Sequence, residues 1–227
     1  MNHKKNKRVM KRLAVIVPYR DRESHLSEFI PYMERVLKEA EIPFEIIIVH
    51  QGDNKGFNRA KLLNIGYKEN PNFDYYAFHD VDMLPLDSDY NYIEGPTHLA
   101  SMAEQFGYKL PYDGYFGGVT LFDKESFVKV NGYSNDYWGW GAEDDDILYR
   151  CAIMGVETFR KNCRYKSLDH DRNIEQIPYL NNVNKLRKFQ NSQTLEAVMS
   201  DGISTLSYEK ISEEKISENS RMITVIL

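Results

Sequence analysis

The chain has 227 residues, of which 42% are hydrophobic, and this size fits a single large domain with its own core. The net charge of −5 excludes the broad basic surface that proteins use to bind nucleic acid. Two cysteines are too few for a disulfide framework, so we expect a reducing compartment.

Residues 1–12 form a basic arm ahead of the first apolar run. That run, residues 13–18, is too short for the core of a signal peptide, and charged residues follow it at once. No apolar run reaches the roughly 18 residues that a membrane-spanning helix needs. We therefore expect a cytoplasmic protein that makes at most peripheral contact with the inner face of a membrane. The sequence leaves the oligomeric state open.

Apolar runs alternate with amphipathic segments over the first part of the chain. The runs are typical of parallel strands buried on both faces, and they cover residues 13–18, 44–49 and 75–79. Predicted helices cover residues 25–40, with Ser24 as the cap, and residues 57–67. This alternation predicts an α/β fold whose parallel strands are joined by right-handed crossovers.

The later part of the chain is less regular. Residues 84–112 are rich in Pro and Tyr, and we predict an ordered loop region there. Next come a strand over 115–122, a short helix over 123–132, a helix over 147–154, a strand over 158–160 and a helical stretch over 173–197. A late hairpin is predicted to pair residues 204–208 with 222–227 around an exposed, charged turn.

Polar residues follow each of the three early strands, namely Arg20 and Arg22, then Gln51 and Asp53, then Asp80 and Asp82. Ligands of parallel sheets bind beyond the carboxyl ends of the strands, so we expect these residues at one rim. Asp80 and Asp82 offer hard oxygen ligands for Mg²⁺ or Mn²⁺ beside a diphosphate, although turn or cap residues would look the same. Arg20, Arg22 and Arg59 are candidates for phosphate, uracil or ribose, with plain surface charge as the alternative.

The most unusual stretch is residues 137–146, where two tryptophans and two glycines run into four consecutive acids. One interpretation is structural, because the helix dipole favours acids in a first helical turn. The other is functional. Trp faces pack on sugar rings, carboxylates accept hydrogen bonds from sugar hydroxyls, and a hydroxyl nucleophile needs a carboxylate base within reach. We expect this stretch to bind a sugar and to supply that base.

These stretches together resemble the β-1,4-galactosyltransferase family of inverting glycosyltransferases. The matching pieces appear in the family's order, at residues 17–22, 57–60, 79–86, 115–118, 131–132 and 137–145. The form of residues 79–86 and of the tail is most similar to the branch that adds galactose to xylose, the xylosylprotein branch. The resemblance implies a GT-A fold with a mainly parallel, Rossmann-like central sheet flanked by helices. It also implies UDP-galactose as donor and Mn²⁺ as cofactor, with Mg²⁺ as the alternative.

The resemblance also assigns roles to residues. The catalytic base is Asp144, and the acceptor-binding residues are Glu143, Asp145, Trp140 and Tyr112. The donor-binding residues are Pro18, Tyr19, Arg20, Arg22, Phe57, Arg59, Asp80, Val81, Asp82, Tyr115, Gly118 and Trp140. Tyr115 matches a donor-selecting position of the family, at which Tyr favours galactose over N-acetylgalactosamine. Trp140 matches the Trp of a mobile loop that closes over the donor. The metal ligands are Asp82 and His170, with Asp169 or water completing the shell; a lone His is otherwise more often a satisfied surface residue.

Residues 13–227 are predicted to form one domain, in which 13–83 bind the nucleotide sugar, 84–172 carry acceptor binding and catalysis, and 173–227 add a helix and a hairpin. Animal members of the family have a signal anchor and a stem, which we do not find here. We therefore expect a bacterial-type enzyme of surface polysaccharide or glycoconjugate synthesis, acting on a saccharide or glycolipid acceptor. Three alternatives stay open: a non-catalytic carbohydrate-binding protein, a UDP-N-acetylgalactosamine-using transferase and a hydrolase of nucleotide diphosphates.

Overall fold

The structure is a computed structural model that describes residues 10–169 and 175–227. Its helices are α1 (Glu23–Glu39), α2 (Arg59–Glu69), α3 (Lys124–Lys129), α4 (Glu143–Ile153), α5 (Gln176–Ser192) and α6 (Leu195–Met199). Its strands are β1 (Leu13–Tyr19), β2 (Phe44–Gln51), β3 (Tyr75–His79), β4 (Met83–Pro85), β5 (Thr97–His98), β6 (Met102–Ala103), β7 (Val119–Asp123), β8 (Phe159–Arg160), β9 (Arg164–Ser167), β10 (Glu209–Lys215) and β11 (Ser220–Ile226).

The large sheet has the strand order β10-β11-β2-β1-β3-β7-β5-β8. Its central strands β11, β2, β1 and β3 are mutually parallel, whereas β7 is antiparallel to both β3 and β5. A small second sheet joins β4, β9 and β6. The predicted α/β fold with a mainly parallel central sheet is therefore confirmed.

The position of β1 defines a topological switch point at the rim of the sheet, and we call this place the crevice. The chain leaves β1 through α1 to reach β2 on one side, and it then crosses through α2 to β3 on the other side. Helices that depart on opposite sides leave an opening at the carboxyl ends of the strands, where α/β proteins bind their ligands. These ends are Tyr19, Gln51 and His79.

Alternate residues of β1 face the two halves of the core. Val15 and Val17 lie in the half that contains α1, whereas Ile16 lies in the half that contains α2. Gly66 lets α2 lie close to the sheet, because a Cβ at this position would be 2.2 Å from Cγ2 of Ile16. Cys151 and Cys163 are both buried, and they are not joined in a disulfide.

Several predicted boundaries were wrong. Helix α1 begins at Glu23 after Arg22, so Ser24 lies inside the helix and is not its cap. The strand expected over 115–122 begins at Val119, because residues 115–118 form the turn that brings the chain to the site. Helix α4 begins at Glu143, four residues earlier than predicted, so the acids are its first turn. The region 84–112 contains short strands that no periodic pattern revealed.

The late hairpin was also wrong in its first strand. The strand β10 covers Glu209–Lys215, the residues predicted as a turn, whereas 203–205 form a short 3-10 turn. All residues of β10 are exposed, so the segment lacks the apolar alternation that would identify a strand. Its partner β11 was predicted correctly and inserts beside β2.

Candidate active site

Arg59, the first residue of α2, links two acidic parts of the crevice. Its Nε donates to Oδ1 of Asp80 at 2.5 Å, and its Nη1 donates to Oδ1 of Asp144 at 2.8 Å. The same Nη1 lies 3.7 Å from Oε1 of Glu143. The turn after β3 and the start of α4 are therefore joined through one guanidinium. The sequence analysis predicted only a nucleotide-binding role for Arg59.

The four acids at the start of α4 have different surroundings. Asp144 faces Arg59 in the crevice, and Asp145 accepts a hydrogen bond of 2.9 Å from the hydroxyl of Tyr112. Asp146 is buried against Tyr137 and Arg150, and Glu143 is also buried. The structural interpretation of this stretch is confirmed, because the acids form the first turn of α4. The functional interpretation stays a prediction, for which Asp144 faces the crevice.

Burial governs the charges of this cluster. It raises the pKa of Glu143, and the nearby charge of Asp144 raises it further, although Arg59 opposes both effects. Burial likewise raises the pKa of Asp144, again against the attraction of Arg59. Burial alone would lower the pKa of Arg59, but the carboxylates around it hold that pKa well above the usual value. An Asp with a raised pKa and a nearby cation is suited to accept a proton.

The Asp80-Val81-Asp82 turn is fixed by backbone hydrogen bonds on both sides. The amide of Asp80 donates to the carbonyl of Gly118 at 3.0 Å, and the amide of Leu168 donates to the carbonyl of Asp82 at 2.8 Å. Val81 itself is buried. The turn is thus tied both to the segment before β7 and to the segment after β9.

A buried chain of side chains supports this turn, and the sequence did not reveal it. Nδ1 of His79 lies 2.8 Å from the carbonyl of Asp80 and must donate to it. Nε2 of His79 therefore accepts from the hydroxyl of Tyr90 at 2.8 Å, and Tyr90 in turn accepts from Tyr165 at 3.0 Å. Burial lowers the pKa of His79 to about 4, which keeps the ring neutral.

The turn also fits the predicted metal site in its chemistry. Carboxylate oxygens are hard ligands suited to Mn²⁺ or Mg²⁺, and Asp80 and Asp82 are both partly exposed. The bond from Leu168 to Asp82 brings the segment before the other predicted ligand next to the turn. That ligand, His170, lies outside the described residues. Within residues 10–169 and 175–227 there is no group of three His, Cys, Asp or Glu side chains placed to hold a metal.

The predicted nucleotide-binding residues lie at the ends of β1 and β2. Arg20 donates to the carbonyl of Lys55 at 2.7 Å, and its guanidinium carbon lies 5.4 Å from the centre of the Phe57 ring. Pro18 and Tyr19 complete β1 beside them. Arg22 follows them in the chain, and its Nη1 donates to the carbonyl of the neighbouring Asp21.

The segment before β7 lies against Asp144. A Cβ on Gly117 would lie 2.4 Å from Oδ2 of Asp144 and 2.8 Å from the ring of Tyr115. Gly118 has φ +77°, a conformation that favours glycine. The resemblance assigned only Gly118 to the donor site and gave Gly117 no role.

The loop that carries Trp140 rests on α5. Trp140 is 55% exposed, and its ring lies 5.5 Å from that of Tyr179. Asn182, which is buried, donates to the carbonyls of Trp138 and Trp140 at 3.0 and 3.2 Å. Asn182 carried no signal in the sequence, because an amide between polar neighbours is typical of a solvated helix face.

The parallel sheet, the crevice and the acidic turn after β3 define the class of GT-A glycosyltransferases. The catalytic domain of Drosophila β1,4-galactosyltransferase 7 in complex with xylobiose is similar to this chain, with 30% identity, a TM-score of 0.80, and coverage of 96% of this chain and 94% of that one. A mutant of the same enzyme in complex with manganese, UDP-Gal and xylobiose has 26% identity, the same coverage and a TM-score of 0.75.

Sequence comparisons give the family. Residues 3–94 match the N-terminal region of glycosyl transferase group 7, and residues 97–171 match the N-terminal domain of galactosyltransferase. Human β-1,4-galactosyltransferase 2 is 38% identical over 87% of this chain, and human β-1,4-galactosyltransferase 4 is 39% identical over 91%. The chain belongs to the β-1,4-galactosyltransferase family, and its predicted GT-A fold is confirmed. It spans 54% and 61% of the lengths of those two relatives.

Proposed function

We propose that the protein transfers galactose from UDP-galactose to a sugar hydroxyl and inverts the anomeric centre to give a β linkage. The observation that carries this function is the Asp144 carboxylate, which Arg59 holds in the crevice between the Asp80 turn and Gly117. The membership of the chain in the β-1,4-galactosyltransferase family supports the same reaction.

The donor enters at the carboxyl ends of β1 and β3. Arg20 and Phe57 form the uracil and ribose side, and Arg59 is within reach of the diphosphate. Asp144 removes the proton of the acceptor hydroxyl while the oxygen attacks the anomeric carbon from the face opposite UDP. The bond to UDP breaks as the new bond forms, and the single displacement turns the α donor into a β product.

Two further elements protect this step. Trp140 closes over the donor and excludes water that would hydrolyse it, which its exposed position on a glycine-flanked loop supports. Asp82 and His170 would hold Mn²⁺, with Mg²⁺ as the alternative. When bound, this ion supplies positive charge to the leaving diphosphate. The manganese and UDP-Gal in the complex of the similar Drosophila enzyme support this assignment.

The acceptor is a saccharide or glycolipid that binds over α4. Asp145 and Tyr112 stand at the open side of Asp144, where the Asp145 carboxylate accepts hydrogen bonds from a sugar and the Tyr112 ring stacks against it. The xylobiose in the similar Drosophila complexes favours a xyloside.

We also propose a cytoplasmic location with at most peripheral membrane contact; the two unbridged cysteines support it. Among the described residues, every helix is too short or too polar to cross a membrane.

The test is UDP release from UDP-galactose with Mn²⁺, with and without β-xylosides, glucosides and N-acetylglucosaminides. Release that one acceptor stimulates, together with a galactosylated product, is the expected result. UDP release that no acceptor stimulates would instead indicate a hydrolase. Glycan binding without UDP release would indicate a carbohydrate-binding protein. UDP-N-acetylgalactosamine in parallel tests the other donor.

A further inference from the structure

Two side chains outside the crevice hold the segment that borders Asp144. His98 of β5 and Arg160 of β8 are neighbours across a parallel strand pair, and both bind carbonyl groups of residues 113–117. On the basis of the proposed function, we propose that His98 and Arg160 are positioning residues. They fix Tyr115 and Gly117 and thereby set the space around the base and the donor sugar.

The bonds of His98 define its tautomer. Nε2 lies 2.9 Å from the carbonyl of Gly117, and because a carbonyl only accepts, Nε2 carries the proton. Nδ1 then accepts from Nε of Arg160 at 3.2 Å. The ring is fully buried, and burial lowers its pKa to about 4, so the neutral form persists at neutral pH. Both nitrogens are therefore satisfied by a single arrangement.

The ring of His98 also contacts the two residues before Gly117. Its centre lies 5.3 Å from that of Tyr115, in an edge-to-face arrangement, and 5.5 Å from that of Phe116. His98 thus contacts three successive residues of the segment. Such contacts restrict the ring of Tyr115, the position that resembles a donor-selecting one.

Arg160 holds the first half of the same segment. Its Nη2 donates to the carbonyl of Asp113 at 2.9 Å and to that of Tyr115 at 2.8 Å. A planar guanidinium that binds two carbonyls and one imidazole has a defined orientation. Together the two side chains fix the backbone from Asp113 to Gly117.

The segment transmits this fixed geometry to the acids. Gly117 leaves no room for a methyl group beside Asp144, and the carbonyl of Gly118 accepts from the amide of Asp80. A shift of the segment would therefore change the position of Asp144 relative to Asp80. Misplacement of a reacting group by about 1 Å can cost on the order of 100-fold in rate.

The test compares His98→Leu with His98→Gln. Leu removes both polar atoms, whereas Gln retains an N–H donor for Gly117 and an oxygen acceptor for Arg160. We expect His98→Leu to lower kcat for galactose transfer by about 10- to 100-fold. Its preference for UDP-galactose over UDP-N-acetylgalactosamine should also weaken, while UDP binding stays near wild type. His98→Gln should restore most of kcat and of the donor preference.

The control is Leu37→Ala. Leu37 lies in the last turn of α1, near the amino edge of the sheet, and its side chain is fully buried. It should lower Tm and leave kcat and donor preference unchanged. The inference is overturned if His98→Leu loses no more kcat than this control, or if Gln fails to restore it at equal Tm. Absence of transfer by the wild-type protein would instead contradict the proposed function. In that case the ring signals of Tyr115 in NMR spectra of labelled protein would still test the inference. They should shift in His98→Leu and stay near their wild-type positions in His98→Gln.

Discussion

Asp144 and Asp146 are two residues apart in α4, and they serve opposite sides of the helix. Two residues correspond to roughly 200° around a helix axis, so their side chains diverge. The side chain of Asp144 is 21% exposed and binds Arg59 in the crevice. That of Asp146 is 2% exposed and binds Arg150 and Tyr137 beneath the helix. The acidic run thus combines a carboxylate that faces the crevice with one that is buried beneath the helix.

The two carboxylates predict opposite mutant phenotypes. Asp144→Asn should lower kcat by about 10²–10⁴-fold, the contribution of a general base, with Tm near wild type. Asp146→Asn should destabilise the fold by about 1–3 kcal/mol, because it removes the nearer charged partner of buried Arg150 and leaves only Asp201 at 3.9 Å. Kinetics and thermal unfolding of both variants check this. Comparable losses of Tm in the two would contradict the assignment.

Gly117 predicts a sharp loss of activity from one methyl group. In Gly117→Ala the new Cβ would lie 2.4 Å from Oδ2 of Asp144 and 2.8 Å from the ring of Tyr115, so the carboxylate or the segment must shift. We expect kcat to fall by about 10-fold or more. Gly114→Ala is the matched control in the same segment, since its nearest contact would be an ordinary 3.9 Å. Equal activity of the two variants would show that Gly117 does not limit the site.

The raised pKa of Glu143 predicts a pH-dependent stability. Above its ordinary pKa of 4.5, this carboxyl retains a proton in the folded state that the unfolded state has released. The stability that it contributes therefore falls as the pH rises from its ordinary pKa of 4.5 to its raised pKa of about 8. Glu143→Gln cannot ionise, so its Tm should fall less than that of wild type between pH 5 and pH 8. Parallel Tm curves would mean that Glu143 ionises normally in the fold.

Tyr112 predicts an effect on the acceptor alone. Its hydroxyl donates to Asp145 at 2.9 Å, at the open side of α4. Tyr112→Phe should raise KM for the acceptor by about 2- to 10-fold, the usual value of one hydrogen bond, with KM for UDP-galactose unchanged. The control is Tyr149→Phe, because Tyr149 is an exposed Tyr on α4. A change confined to the donor KM would place Tyr112 on the other substrate.

The sequence was most informative where one physical signal dominated. Continuous apolar runs defined β1, β2 and β3, because strands buried on both faces need such residues. The acids of the crevice were found because they follow those strands or cluster after tryptophans. The charged strand β10 was missed, since pairing with β11 requires backbone groups and no apolar side chains.

The supporting contacts of the site could not be predicted. His98 and Arg160 are 62 residues apart, and their contact exists only because β5 pairs with β8, two strands too short to show a pattern. His79 lay inside a recognised motif, but its role depends on Tyr90 and Tyr165, which the fold brings together. Arg59 was assigned to the nucleotide from its charge, whereas its contacts with both acids depend on the crossover of α2.

Strand β10, which forms one edge of the large sheet, bears on aggregation. An unpaired strand edge is a template on which another chain can assemble into aggregates. Along β10 the exposed residues are mostly charged, namely Glu209, Lys210, Glu213, Glu214 and Lys215. The pairing register also shifts between Lys210 and Ser212, an irregularity that bends a strand. Charge and bend together oppose the pairing of a second chain with this edge, so we expect β10 to lower the tendency of the sheet to aggregate.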